Sequence, residues 1–543
     1  MVRNITQNDP LYSLYVHSEF LIKKPYTFRD FKCRFRGEKR GLPQLLASKN
    51  ELQYKAVSGQ DGPVAAEVFQ IFDLLVKNGK IVTSSDIMNG NIYVADGKIA
   101  AVTQTDILQD AKHVLDASGK FVFPGAIDVH AHLNDPGYTW RENFRNGTLA
   151  AAAGGVTTLV DMPLQNEPAL TDVSLFRAKH DAVKEKALVD YALWGGITDV
   201  DPDKIRDLHN AGVAAFKVFI GPVSSDYRSQ DMGAVREIMQ IAASLGALVG
   251  FHAEDYSIIR HEEARARKEG RSGRIDYLRS RPLSAELIAT ESVIELARET
   301  GAKSHVCHVS HPAAAERIRL ARKEGLPITA ETCTHYLVFS EDDLIRDGMI
   351  FKCAPPLREK AAVEKLWEYV ADGTLGCIAS DHSPCAPEEK DEKNGAFDAW
   401  GGISGIQSTM QVFFDRAVCR RDASPTLLAQ RLSEGPARIF GLYGRKGAVE
   451  VGFDADLVVL DPEREWEITP DSLFYLNKIS AFAGLKGKGL PVAVFVRGRQ
   501  VFADGAEASA FGCGELILRN GTEVGIAAEN DQKNPCAMNT RQE

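Results

Sequence analysis

Phe121-Val122-Phe123-Pro124-Gly125-Ala126-Ile127-Asp128-Val129-His130-Ala131-His132 is an apolar run that ends in two histidines at alternate positions. In an extended strand alternate residues face the same side, so both imidazoles converge on one place. Imidazole is a common zinc ligand, and two at this spacing hold one ion. Alone, the pair is equally compatible with two packed core histidines. Its meaning depends on what else along the chain ends in the same way.

Downstream, apolar runs such as Leu159-Val160-Asp161, Ala215-Phe216-Lys217-Val218-Phe219 and Leu248-Val249-Gly250-Phe251 alternate with amphipathic segments, among them 232–245 and 284–299. Such alternation predicts repeated βα units around a parallel sheet. Four further polar residues end apolar runs: Lys217, His252, His308 and Asp381. His130 to Asp381 spans about 250 residues, the usual length of an eight-unit βα barrel. Three units of about 28 residues fit between His132 and Lys217, one in each of the next two intervals, and two between His308 and Asp381. The set therefore falls at the ends of the first, fourth, fifth, sixth and eighth strands, the rim where barrel enzymes build their sites.

Each residue also has a plain structural reading. Lys217 could snorkel its ammonium to the barrel mouth. An ammonium has no lone pair for a metal, but burial near cations favours the neutral amine, which takes up carbon dioxide to form a bridging carbamate. His252 and His308 could be satisfied core histidines. His305 is three residues from His308, so only one of them faces the site; His308, nearer the strand end, is taken as the ligand and His305 as packing. His311 stays unassigned. Asp381 is costly to bury unless paired or metal-bound, and His382 beside it points the other way. Four imidazoles, one carboxylate and a potential carbamate make a ligand set for two metals with no thiolate. Zinc suits it, and manganese, iron or cobalt fit as well.

Composition narrows the alternatives. The chain has 543 residues, 44% hydrophobic and 25% charged, with a formal net charge of −10 and no long basic stripe. That excludes nucleic acid and anionic membranes as main partners. Nine cysteines without a C-x-x-C pair fit a reducing compartment. The longest small-apolar stretch, Leu149 to Val160, is too short to span a bilayer, and the first 30 residues lack a signal-peptide core. The expected location is the cytoplasm, with organellar targeting by the N-terminal extension left open. Short strands and turns before and after the central block predict a small β-sandwich domain built from both flanks, with Asn78-Gly79 read as a hairpin turn. The expected boundaries are a loosely ordered extension at 1–67, the β-domain at 68–122 and 441–515, the barrel at 123–440 and a polar tail at 516–543, disordered from about Glu523.

These motifs resemble the cyclic amidohydrolases, the group of dihydroorotases, dihydropyrimidinases or hydantoinases, and allantoinases. The resemblance covers about residues 70 to 515 and includes all six metal-site positions. Lys352-Cys353-Ala354-Pro355-Pro356-Leu357-Arg358, Ser380-Asp381-His382-Ser383-Pro384-Cys385, Ala399-Trp400-Gly401-Gly402-Ile403-Ser404-Gly405 and Asp161-Met162-Pro163-Leu164 are similar to allantoinases in particular. Asn134 stands where dihydroorotases carry an arginine, and Pro222 where dihydropyrimidinases carry a tyrosine.

The resemblance implies a (β/α)8 barrel of TIM type. It implies that His130, His132, carbamylated Lys217 and Asp381 hold one metal, while His252, His308 and the same carbamate hold the second. A hydroxide between the ions then opens the ring of allantoin to give allantoate, with Asp381 as the catalytic acid–base. Asn134, Cys353 and Cys385 are candidate substrate contacts. The resemblance further implies a homotetramer. Competing readings are a hydantoinase or dihydropyrimidinase, a non-catalytic assembly protein of the same fold, and a one-metal deaminase-like enzyme, against which Lys217 argues.

Overall fold

The computed structural model describes residues 71–106, 110–223, 227–393 and 395–519 together with four short strands before them. Of these, Phe31–Lys32 pairs with Leu46–Ala47, and Gln53–Ala56 pairs with Ala66–Phe69, both antiparallel. The remainder of residues 1–67, and the chain beyond 519, lie outside the described residues.

Eight parallel strands form the centre: β1 (Ala126–Ala131), β2 (Val156–Asp161), β3 (Asp190–Gly196), β4 (Ala215–Phe219), β5 (Leu248–His252), β6 (Lys303–Val306), β7 (Ile328–Cys333) and β8 (Cys377–Ala379). They are hydrogen-bonded in sequence order. The ring closes where Ala131 bridges His382 and the His132 amide donates to the His382 carbonyl at 2.8 Å. β1 to β5 are buried at every position, as expected of strands covered on both faces. The chain is a TIM-type (β/α)8 barrel with a separate, mostly antiparallel sheet.

Helices wrap the barrel, and their starts are written in the sequence. Asp172, Asp201, Asp231 and Asp255 each accept a backbone N–H of the first turn of 173–183, 202–211, 232–245 and 256–268, satisfying donors a helix leaves open. The segment read as helical over 284–299 is Leu283–Thr300. No helix among the described residues is long and apolar enough to cross a membrane.

The second sheet has nine strands drawn from both ends of the chain. Phe121–Pro124 lies at its middle, with Val122 opposite Val459 and Phe123 opposite Val458 in the strand Leu457–Glu467. One residue further, Gly125 donates to the Asp456 carbonyl at 2.8 Å, and β1 begins. The opening stretch thus passes directly from the centre of this sheet into the barrel. Leu74, Val76, Ile92, Val122, Leu457 and Phe495 are among the buried residues of the sheet's own core.

One turn expectation is corrected. Asn78-Gly79 is no hairpin; Phe72–Val82 is a single strand with a register shift between Val76 and Gly79. Asn78 adopts a left-handed φ of 61°, and its amide donates to Asn91 Oδ1 at 2.9 Å. A Cβ on Gly79 would lie 2.5 Å from Val122 Cγ2. The pair makes a bulge that lets the strand continue over a close neighbour. At the other end of the described chain, the Ile517 amide donates to the Tyr191 carbonyl at 2.7 Å and Ile517 is buried, so residues up to 519 stay on the barrel.

Where barrel and sheet meet, Lys446 Nζ contacts Asp190 at 2.5 Å, Asp456 at 2.7 Å and Asp454 at 2.9 Å, all four side chains buried. Arg497 and Arg445 pair with Asp190 and Asp454 from outside. Lys446→Met leaves Asp456 with the Arg497 amide alone. The expected loss is about 3–5 kcal/mol, the cost of an uncompensated buried charge. Equilibrium urea denaturation checks this, and an unchanged midpoint would count against the cluster's role.

Candidate metal centre

His130 is the penultimate residue of β1 and His132 follows its end; Lys217 is central in β4, and His252 ends β5. His308 and Asp381 lie two residues beyond β6 and β8. All six line one cavity of about 340 Å³. The spacing read from the sequence therefore brings the whole set together, although Lys217 sits within its strand rather than at the strand end.

Two groups face each other inside it. Asp381 Oδ1 is 3.3 Å from His130 Nε2 and 3.5 Å from His132 Nε2. Opposite, His252 Nδ1 lies 3.0 Å from His308 Nε2. Burial, then the charge of Lys217, pushes His130 below its ordinary value; burial, then His252 and Lys217, does the same to His308. Both imidazoles are thus neutral and keep lone pairs for a ligand. Burial raises Asp381, but His130 and His132 outweigh it and hold the carboxyl well below the usual range. Lys217 Nζ is buried without a hydrogen-bond partner, 5.2 Å from the Phe219 ring, which itself stacks on His252. Converging neutral imidazoles, an ionised carboxylate and an orphaned amine fit a divalent metal site. The ligand atoms of His130, His132 and Asp381 lie within 4.8 Å of one another.

The backbone is forced at two of these positions. His308 and Asp381 have φ of 37° and 44°, a region non-glycine residues rarely occupy. The His308 amide is held by Glu331 Oε1 at 3.2 Å, while Ser380 bonds Asp128 on one side of Asp381 and the His382 amide on the other.

Glu331 was not read from the sequence. It is fully buried on β7, in contact with His130 Nδ1 and 3.2 Å from His305 Nε2. A carboxylate holding the rear nitrogen of a ligand imidazole fixes its tautomer and orientation. Glu254 does the same for His252, with Oε2 2.9 Å from Nε2. The signals existed: Glu331 interrupts the strand run Ile328–Cys333, and Glu254 is two residues past His252. His305 packs against Phe440, with Nδ1 2.9 Å from Thr329 Oγ1. His311 caps the helix 312–323. His382 packs at a tilt against Tyr475, its Nε2 3.7 Å from buried Glu142.

The rest of the cavity wall comes from Phe397–Gly401, Tyr277, Arg281, Lys352, Gln165 and Ser383, among others. Lys352 Nζ donates to the Phe397 and Ala399 carbonyls, and burial, then the charge of Arg281, brings it down to about 7. Trp400 bonds the Ser383 carbonyl and stacks on Arg141 at 4.0 Å. Asn134, Cys353 and Cys385 are buried, and none is among the described lining residues. Asn134 holds φ at 58° and donates to the Gln165 carbonyl at 3.0 Å; the Cys353 carbonyl accepts from Tyr277 at 2.7 Å. Pro222 lines the cavity.

Residues 121–501 match the model of the Amidohydrolase family. An allantoinase of Rubrobacter xylanophilus is 42% identical over 435 residues, 80% of this chain and 95% of that protein. An allantoinase of Escherichia coli is 39% identical over 418 residues, 76% of this chain and 91% of that protein. Among solved structures, the L-hydantoinase (dihydropyrimidinase) of Arthrobacter aurescens has a TM-score of 0.80 at 32% identity, covering 83% of this chain and all of that one. The dihydropyrimidinase of Brevibacillus agri has 0.78 at 30%, covering 82% and 98%.

The site makes stability depend on pH. Burial raises Glu254, but Arg281 and His252 draw it down from 4.5 to about 2. Its stabilisation is complete above about pH 5 and is lost as pH falls towards 2. His130 and His308, depressed below 6.5, add the same sign from about pH 6.5 downward. Metal-stripped protein should therefore lose stability steadily from pH 6.5 to 3 in chemical denaturation, and Glu254→Gln should flatten the lower half. A flat profile would contradict the assignment of buried neutral histidines and ionised carboxylates.

Proposed function

This chain belongs to the amidohydrolase family, and we propose that it opens the hydantoin ring of allantoin to give allantoate with two divalent metal ions. The observation that carries the reading is the convergence of His130, His132, Lys217, His252, His308 and Asp381 on one cavity, in a chain about 40% identical to allantoinases over most of its length. In this reading His130, His132, Asp381 and a carbamate on Lys217 hold one ion, and His252, His308 and the same carbamate hold the other. Zinc is the favoured metal, with manganese, iron or cobalt as substitutes. The bound ions supply the Lewis acidity that activates water near neutral pH and polarises the amide carbonyl.

The residues of the chain do the remainder. Carbamylation of Lys217 turns an amine without a partner into an anion with two ligand oxygens. Glu331 and Glu254 hold His130 and His252 in the tautomer that leaves the cavity-facing nitrogen free. Asp381, ionised and set at the strand end, takes the proton of the attacking water and passes it to the leaving ring nitrogen. The segment Phe397–Gly401, pinned by Lys352, walls the ring from bulk water.

The second reading is a hydantoinase or dihydropyrimidinase, favoured by the solved structures the chain resembles. Pro222, where that group carries a tyrosine, speaks against it. The seven described cysteines are free, which agrees with a cytoplasmic enzyme; a homotetramer belongs to the same proposal by resemblance.

Allantoate formation, assayed beside hydantoin and dihydrouracil, tests the reading: turnover of allantoin above both is expected, and preference for either control transfers the chain to the sibling activity. Lys217→Ala should lower kcat by at least about a hundredfold and deplete bound metal, measured by atomic absorption. An active, fully metallated variant would sink the bridging role.

A further inference from the structure

We propose that Arg281 determines substrate specificity by receiving the carbonyl oxygen of a neutral, urea-type substituent on the cyclic amide, an inference that rests on the reaction proposed above. Arg281 follows the short helix Arg274–Ser280 and lines the cavity, its side chain 11% exposed. It is fixed at both ends. Its guanidinium bonds Glu254 through Nη1, and its carbonyl accepts from Arg358 Nη1 at 3.0 Å. Arg358 is itself held by Glu286 at 2.8 Å and Ser310 at 2.9 Å. A donor fixed before the ligand arrives loses little entropy on binding.

The guanidinium still has donors to offer. Nε and Nη2 of Arg281 have no acceptor among the described residues, and these two form one edge of the fork that guanidinium presents to a single oxygen or a planar pair. Lys352, on the same wall, spends its ammonium on the Phe397 and Ala399 carbonyls. Lys217 is committed to the metal side.

Position and charge select what the fork receives. Glu254 Oε2 touches both Arg281 and His252 Nε2, so the guanidinium lies one carboxylate to the side of an imidazole that faces the metals. The scissile carbonyl belongs at the imidazoles, and a group projecting from the ring belongs at Arg281. Glu254 cancels the guanidinium charge, and on the same cavity wall Glu263 and Asp398 share the single guanidinium of Arg267. A carboxylate substituent would gain no net positive field there. A neutral carbonyl oxygen accepts the N–H bonds without needing one.

The test compares allantoin with unsubstituted hydantoin on the metal-loaded wild type, Arg281→Met and Arg281→Lys. In Arg281→Met the KM for allantoin should rise by more than about tenfold, since a site built to bond a polar group discriminates through that bond. The KM for hydantoin should rise less, so that the ratio of the two constants shifts by about tenfold; any loss common to both substrates reads the effect of Glu254 losing its cation beside His252. Arg281→Lys, which keeps charge but loses the two-pronged edge, should fall between and serves if the methionine variant does not fold. A parallel loss on both substrates, or a preference for allantoin that survives both variants, would overturn the role of Arg281 while leaving the proposed reaction standing. A wild type that opens hydantoin but not allantoin would overturn both.

Discussion

The carboxylate of Glu331 is the point on which the site depends. Fully buried on β7, it touches the rear nitrogen of His130 on β1, stands 3.2 Å from His305 on β6, and accepts the amide of His308 beyond it. Burial alone would push it towards the neutral acid, but His130 and His305 hold it well below the usual range. One charged group thus ties three strands together and sets which nitrogen His130 shows to the cavity. An uncharged residue there would leave His130 free to turn and His308 without the bond that sustains its left-handed backbone.

The same logic recurs elsewhere in the fold, once with the signs reversed. At the junction with the second sheet a buried lysine gathers three aspartates, and beside the metal centre a buried glutamate gathers an arginine and a histidine. In each case charges pair inside the protein because an unpaired charge there is prohibitively costly. The fold places these clusters at strand ends and junctions, where several elements contribute partners at once.

The barrel and its six site residues were legible because they obey periodicities that a single sequence carries: alternate histidines on a strand, and polar residues that terminate apolar runs at multiples of a βα unit. Glu331 escaped the same argument because it lies inside its strand run and strand seven had no ligand to anchor it. The Asn78-Gly79 bulge looked like a turn because local chemistry is the same for both; only the neighbouring Val122 distinguishes them. Asn134, Cys353 and Cys385 were chosen by motif, and motif does not say which way a side chain faces. The wall built from Phe397–Gly401 and Arg281 depends on long-range packing that no local pattern encodes.

The strand that enters the barrel at Gly125 has a further consequence, for the order in which the protein is made. Phe121–Pro124 is held mainly by Leu457–Leu460, synthesised more than three hundred residues later. Phe72–Val82, made earlier, pairs only with Phe121 and Val122, so the segment leading to His130 and His132 has its antiparallel neighbour only after that partner leaves the ribosome. Pairings this distant in sequence form late. All six residues of the candidate site are made by the time Asp381 is, yet the sheet from which β1 continues is completed only by strands that follow the barrel in the chain.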